Sequence, residues 1–108
     1  MPLSARAVEL LTEARSKGET ELVFPSPVTG RAVSENTYVK LLRDLDIPTS
    51  AHGLRATFRS WCSDTGVPRD LAEMALGHAV HGVEGAYARS DMLERRRPLM
   101  QQWASYIA

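Results

Sequence analysis

Three side chains in the middle of the chain are suited to binding an anion. On a helix of 3.6 residues per turn, His52, Arg55 and Arg59 fall within a sector of about 60°. Cationic groups this close repel one another unless an anion lies among them, and the first turn of a helix favours phosphate through its unpaired N–H groups. Arginine also donates two parallel hydrogen bonds to phosphate oxygens. This face is therefore predicted to bind phosphate, and the alternative is a solvated helix face with His52 as a local cap.

A second group lies further along the chain, around a helix end and a tyrosine. Gly77 is predicted to end a helix, so that His78 leaves the helix with its side chain pointing away from the core. Tyr87 follows after two more glycines. A tyrosine phenol is a weak nucleophile at its ordinary pKa of about 10, but cationic donors around a phosphate stabilise the phenolate and polarise the phosphorus. Taken alone, His78 is better explained as a structural histidine and Tyr87 as a half-buried core residue.

In combination, these residues resemble the catalytic centre of a known family. The order HxxR (His52 and Arg55), then LGH ending at His78, then Tyr87 is similar to the C-terminal catalytic half of the tyrosine recombinases, the phage-type integrases. The stretch AYARSD at 86–91, followed by ERR, resembles the prophage integrases in particular. The resemblance extends over essentially the whole chain.

The resemblance implies a role for each matched residue in breaking and rejoining DNA strands. Arg55 matches the second of two arginines that clamp the scissile phosphate, and His52 matches a histidine that supports proton transfer and phosphate binding. His78 matches the late histidine or tryptophan that donates a hydrogen bond to the phosphate. Tyr87 matches the nucleophile, which forms a 3′-phosphotyrosine link that retains the energy of the broken bond. Arg59 matches no catalytic position and is predicted to be a DNA backbone contact.

The chain also departs from that family. The family's first catalytic arginine and the lysine that protonates the leaving 5′-hydroxyl have no match, because Arg6, Arg15 and Lys17 do not fit those positions. We therefore expect residues 1–108 to be a single partial domain, the C-terminal segment of an integrase catalytic domain, without the upstream β-hairpin and the N-terminal DNA-binding domain. Such a polypeptide is expected to bind double-stranded DNA of attachment-type sites weakly and to be inactive as a recombinase by itself.

Two other functions are compatible with the sequence. Residues 64–68 look like the bend of a helix-turn-helix, which makes a non-catalytic DNA-binding regulator the main alternative, with Arg69 opening the second helix. Against it, Asp70 and Glu73 on that helix would lie near DNA phosphates.

A helical interaction module is the third possibility, because residues 90–108 carry an apolar stripe that either folds back on its own core or contacts another recombinase protomer. The stripe consists of Leu93, Met100, Trp103 and Ile107.

The elements that must position these residues are mostly helices. Apolar residues recur at helical spacing over about 4–15, 34–46, 51–66, 68–77 and 90–107, with a short helical piece around Tyr87. Glu21–Phe24 is a short β-like run, and Pro98 either kinks the last helix or restarts it. The predicted fold class is mainly α: a compact multi-helix domain with at most one or two short strands, resembling the C-terminal half of the recombinase catalytic domain.

Composition places the chain among ordinary globular domains. Its 108 residues are 44% hydrophobic and 24% charged, which excludes disordered, collagen-like and coiled-coil classes. No apolar run is long enough for a membrane span, and the single Cys62 supports neither a disulfide nor a multi-cysteine metal site. We therefore expect a cytoplasmic protein with no membrane partner, no cofactor and no metal. Zero net charge disfavours a nucleic-acid partner, but basic residues outnumber acidic ones in 30–62 and 85–108.

Overall fold

The computed structural model describes residues 1–18, 20–78 and 89–108, and this part of the chain is mainly helical, which confirms the predicted fold class. Its five helices are α1 (Ala5–Ser16), α2 (Glu35–Asp44), α3 (Ala51–Asp64), α4 (Arg69–Ala75) and α5 (Arg89–Ile107). The chain groups into two compact units: a C-terminal unit of Met1–Ala5 with Arg55–Ala108, and an N-terminal unit of Arg6–Leu54. None of the helices in the described ranges has the length and hydropathy that a membrane span requires.

The segment predicted as a short strand, residues 21–24, does not form one. Among the described residues, β-type pairing consists of an isolated antiparallel bridge between Pro25 and Ala32. This bridge closes a turn in which Gly30 adopts a φ of 67° and its N–H donates to the Ser26 carbonyl at 2.8 Å. A single β-like run needs a neighbouring strand to complete a hydrogen-bonded ladder, and the described chain supplies none, so the run stays irregular.

Three helices end where one residue turns into the left-handed region of φ. Gly66 does so after α3 with a φ of 75°, and the N–H of Val67 then donates to the Cys62 carbonyl at 2.8 Å. Gly77 does so after α4, with a φ of 78°. Asp46 takes the place of glycine after α2, with a φ of 53°, at a conformational cost of about 1–2 kcal/mol for a residue with a Cβ. The glycine positions are those at which the sequence predicts the ends of α3 and α4.

The core of the C-terminal unit is built by α3, α4 and α5. Its buried members are Phe58, Trp61 and Cys62 from α3, Leu71, Ala72 and Ala75 from α4, and Met92 and Leu99 from α5. Trp103 packs edge-on against Phe58, with 5.3 Å between ring centroids, and lies 5.2 Å from the ring of Trp61. This edge-to-face geometry stabilises aromatic pairs beyond their burial. Desolvation raises the pKa of the fully buried Cys62, so its thiol acts as a small apolar core group.

The last helix, α5, runs without interruption through Pro98. Proline lacks the N–H that would bond the carbonyl of Glu94, which costs about 3 kcal/mol in a helix interior. Met92 and Leu99, which flank it on the buried face, are 3% and 4% exposed, and burying two such side chains offsets that cost. The segment thus folds back on its own unit, while its contact with another protomer stays a prediction.

The N-terminal unit buries much less of its apolar surface. The predicted apolar stripe of α2 is present, yet none of its residues is buried: Tyr38, Leu41 and Leu45 are 48%, 50% and 59% exposed. Leu54, in the first turn of α3, is also 52% exposed. Hydrophobic stabilisation of the described chain therefore comes mainly from the C-terminal unit.

Substituting one buried and one exposed leucine tests this division. We expect Leu99→Ala to lower the free energy of unfolding by about 2–4 kcal/mol, because it leaves a cavity in the core. The same change at Leu41, which is half exposed on α2, should cost less than about 1 kcal/mol. Urea unfolding followed by far-UV circular dichroism measures both values, and equal losses would contradict the assignment of the core.

Candidate functional site

Arg55 lies on α3 and reaches the end of α4. Its Nη2 donates a hydrogen bond to the Leu76 carbonyl oxygen at 2.7 Å and lies 2.9 Å from Nε2 of His78. The partners are 21 and 23 residues away along the chain, and all three residues belong to the C-terminal unit. Two of the predicted site residues, Arg55 and His78, are therefore in direct contact.

The end of α4 determines where His78 lies. Because Gly77 turns into the left-handed region, its N–H donates to the Met74 carbonyl at 3.1 Å and the N–H of His78 donates to the Glu73 carbonyl at 2.9 Å. This is the Schellman pattern, which folds the residue after the glycine back over the last turn of the helix. The imidazole of His78 is thereby held beside the side chain of Glu73, five residues earlier in the chain.

Glu73 connects the two sides of the site. Its Oε1 accepts a hydrogen bond from Nε of Arg59 at 2.9 Å, and its Oε2 lies 2.5 Å from Nδ1 of His78. The side chains of Glu73 and Arg59 are 27% and 32% exposed, whereas that of His78 is 51% exposed. Arg59 is therefore paired with a carboxylate of the protein, and its role as a DNA backbone contact stays a prediction.

The protonation of Glu73 follows from these partners. The hydrogen bond with His78 is the largest influence and lowers the pKa of the Glu73 carboxyl. Partial desolvation raises the pKa of Glu73 and so opposes this effect. The hydrogen bond from Arg59 and the positive charges of Arg59 and of a protonated His78 lower it further. Glu73 is consequently an ionised carboxylate at neutral pH.

Glu73 was not among the predicted site residues, although the sequence contains a signal for it. Clustered cations on one face of α3 require a nearby anion. Glu73 lies five positions before His78 of the LGH motif, and when a glycine ends the helix between them, the chain folds back and brings the two side chains close together. Sequence spacing places Glu73 on α4 but does not show which side of α4 packs against α3.

The other predicted catalytic residues are His52 and Tyr87. His52 is exposed in the first turn of α3 and belongs to the N-terminal unit, so its role stays a prediction. Tyr87 lies outside the described residues, and so does the short helical piece predicted around it. Among the described residues, no group of three His, Cys, Asp or Glu side chains is arranged to hold a metal ion.

Known proteins similar to this chain are integrases. The chain is 34% identical to the prophage integrase IntA of Escherichia coli (strain K12) over an alignment of 112 positions, which covers 99% of this chain and 27% of that protein. It is 32% identical to the prophage integrase IntZ of the same strain, over 99% of this chain and 28% of that protein. It is 31% identical to the integrase of Shigella phage Sf6, again over 99% of this chain and 29% of that protein.

These matches confirm the predicted similarity to phage and prophage integrases over the length of the chain. The chain spans only between 26% and 29% of the length of the relatives it matches. No family model matches the chain, and no solved structure matches it.

The charge of Glu73 makes a prediction about stability and pH. Because the pKa of Glu73 is lowered in the folded state, its carboxylate stabilises the fold above the unfolded-state value of about 4.5, and this contribution is lost as the pH falls through the folded-state value. We expect the wild type to be more stable than Glu73→Gln at neutral pH, and this difference to shrink as the pH falls below about 4.5.

Chemical unfolding at a series of pH values measures this difference. Glu94→Gln is a matched control, because Glu94 pairs with Arg97 on the exposed side of α5 and both side chains are well solvated. Exposed pairs contribute little, so the control should show no comparable dependence on pH. The charge of Glu73 would be unimportant for stability if the difference between wild type and Glu73→Gln stayed constant as the pH fell well below 4.5.

Proposed function

We propose that this chain acts in DNA integration and site-specific recombination, as the C-terminal part of the catalytic domain of a tyrosine recombinase. The contact between the Arg55 guanidinium and the His78 imidazole carries this proposal, because it joins two groups that the sequence predicts to bind phosphate and that lie 23 residues apart in the chain. The similarity to phage and prophage integrases over 99% of the chain supports it. The substrate is double-stranded DNA in the cytoplasm of a bacterium, where neither a cofactor nor a metal is required.

In the proposed reaction, the phenol oxygen of Tyr87 attacks the phosphorus of one phosphodiester. A phosphorus–oxygen bond forms to Tyr87 and the bond to the 5′-oxygen breaks, which leaves a 3′-phosphotyrosine link and a free 5′-hydroxyl. Arg55 and His78 bind the non-bridging oxygens, on which negative charge develops, and His52 supports proton transfer. The reverse attack by a 5′-hydroxyl rejoins the strands without an external source of energy.

We further propose that this chain alone binds DNA weakly and does not cleave it. The first catalytic arginine and the general-acid lysine of the family have no matching positions here. Two of the early basic side chains are instead paired with neighbouring carboxylates, Arg6 with Glu9 and Lys17 with Glu13. Losing a single preorganised donor typically lowers the rate by about 10²–10³, so the loss of two such groups leaves little activity.

The helix-turn-helix regulator is less well supported, because α4 is a poor recognition helix. It has only seven residues, and three of them, Leu71, Ala72 and Ala75, are buried in the core of the C-terminal unit. Glu73 on the same helix is engaged with Arg59. A helix that reads a DNA groove needs a solvated face with several donors, and α4 offers little beyond Arg69.

Arginine substitutions distinguish these two functions. We expect Arg55→Ala to weaken binding to a dye-labelled DNA duplex by about tenfold and to reduce the salt dependence of log Kd by about one phosphate contact. Arg69→Ala, which a helix-turn-helix regulator should not tolerate, is expected to have a smaller effect. Arg6→Ala, far along the sequence and paired with Glu9, serves as the control for lost charge. Equal losses for all three variants would contradict a specific phosphate site.

Covalent trapping tests the proposed inactivity of the isolated chain. A nicked duplex that releases a short strand after cleavage makes the tyrosine adduct irreversible, so that it accumulates on a denaturing gel. We expect no efficient adduct from the wild-type chain, with Tyr87→Phe giving the background. An efficient adduct that disappears in Tyr87→Phe would prove that the chain is competent by itself.

A further inference from the structure

The hydrogen bonds around His78 determine where its ring proton lies. Arginine has only donors, so Nε2 of His78, which faces Nη2 of Arg55 at 2.9 Å, must accept. The proton of the neutral ring then lies on Nδ1, where it is donated to the carboxylate of Glu73. Both contacts require the same tautomer, in which Nδ1 carries hydrogen and Nε2 does not.

This tautomer cannot give the hydrogen bond that the proposed function requires. In the proposed site His78 donates to a phosphate oxygen, and the ring nitrogen directed towards Arg55 is an acceptor in the structure. A phosphate that draws the guanidinium of Arg55 to itself would leave two acceptors, Nε2 and a phosphate oxygen, facing each other. This repulsion is removed when Nε2 takes up a proton from solvent, because the imidazolium then donates to the phosphate and to Glu73 at once.

We propose that Glu73 is the positioning residue of this site: it fixes the tautomer of His78 in the free protein and enables His78 to bind one proton together with a DNA phosphate. The proposal rests on the proposed function for the identity of the anion. In this proposal, Nε2 of His78 takes up a proton from solvent when phosphate binds, and no other covalent bond is made or broken.

The groups around His78 favour this role for Glu73. Two cationic side chains come from α3: Arg55 contacts Nε2 directly, and Arg59 contacts the carboxylate of Glu73. A third, Arg96, comes from α5 and donates to the Met74 carbonyl in the last turn of α4 at 3.3 Å. Among the described residues, Glu73 is the anion that contacts the imidazole, and the other charged groups there are cationic. Arg59 holds Oε1, and Oε2 is directed at Nδ1. The lowered pKa of Glu73 keeps this carboxylate charged at neutral pH.

The first experiment reads the tautomer of the free protein. Long-range proton–nitrogen NMR correlations distinguish Nδ1–H from Nε2–H in a neutral histidine, and His78→Gln identifies the signals. At a pH of about 8, where an ordinary histidine is neutral, we expect His78 in the wild type to be the Nδ1–H form. A predominant Nε2–H form would overturn the proposal, and this result requires no DNA and no variant at Glu73.

The second experiment counts the protons taken up with DNA. The slope of log Kd against pH equals the number of protons bound with the ligand, and fluorescence anisotropy of a dye-labelled duplex gives Kd at each pH. Near pH 7 we expect a slope of about half a proton for the wild type, the largest value that a tenfold effect allows for an imidazole with the ordinary histidine pKa. For Glu73→Gln the slope should fall close to zero and the affinity should drop about tenfold, the effect of one charge-assisted hydrogen bond.

Two further variants separate positioning from a general loss of charge or fold. Glu73→Asp keeps the carboxylate and should retain most of the slope, whereas Glu94→Gln removes a carboxylate paired with Arg97 on α5 and should leave the slope unchanged. If Glu73→Gln fails to fold, the slope of the wild type and of Glu73→Asp still decides the matter. A wild-type slope near zero overturns the proposal.

The outcomes also separate this proposal from the proposed function. DNA binding that depends on Arg55 but takes up no proton overturns the role of Glu73 and leaves the recombinase function standing. DNA binding that is absent, or that is unaffected by Arg55→Ala, overturns the function and with it the coupling to phosphate. In that case the NMR experiment still decides whether His78 is in the Nδ1–H form that its contact with Glu73 requires.

Discussion

The carboxylate of Glu73 balances the positive charge that α3 and the end of α4 bring together. Two like charges about 4 Å apart repel by about 4 kcal/mol at the effective dielectric constant near a protein surface, so a proton added to His78 near Arg55 and Arg59 would be costly without a nearby anion. With one oxygen on Arg59 and the other on His78, the carboxylate turns that repulsion into an ordered network. The carboxylate thereby orients the imidazole of His78 in the free protein, before any ligand is bound.

The network depends in turn on the core that α3 and α4 share. Ala72 and Ala75 on α4 are almost fully buried in the same core as Phe58 and Trp61 on α3. The long side chain of Arg55 reaches from α3 to the Leu76 carbonyl at the end of α4. The aromatic rings of α3 pack against those of α5 from the face next to the cationic one, so burial and the polar network use neighbouring faces of one helix.

Local sequence rules predicted the parts of the fold that depend on single residues. The glycines that end α3 and α4 were recognised because only glycine enters the left-handed region without cost, and the cationic face of α3 follows from helical spacing alone. What depends on neighbours could not be predicted in this way. The pairing of Arg59 with Glu73 requires knowledge of which helix faces meet, and the irregular course of residues 21–24 reflects the lack of a partner strand in the described chain. The exposed stripe of α2 shows the same limit, because amphipathic spacing predicts a face but not what covers it.

A network of this kind suits chemistry on a phosphate better than simple attachment to DNA. Solvated lysines and arginines supply non-specific affinity without being held in place, since long-range attraction to the backbone requires no fixed geometry. Fixing the guanidinium of Arg55 and orienting an imidazole through a carboxylate costs side-chain entropy that mere attachment would not recover. Such ordering is advantageous where charge grows on the oxygens of one phosphate during a reaction, because donors already in place then need no rearrangement as the barrier is crossed. In the resting protein, the Leu76 carbonyl and Nε2 of His78 satisfy Arg55, so the cation is not left unpaired while no phosphate is bound.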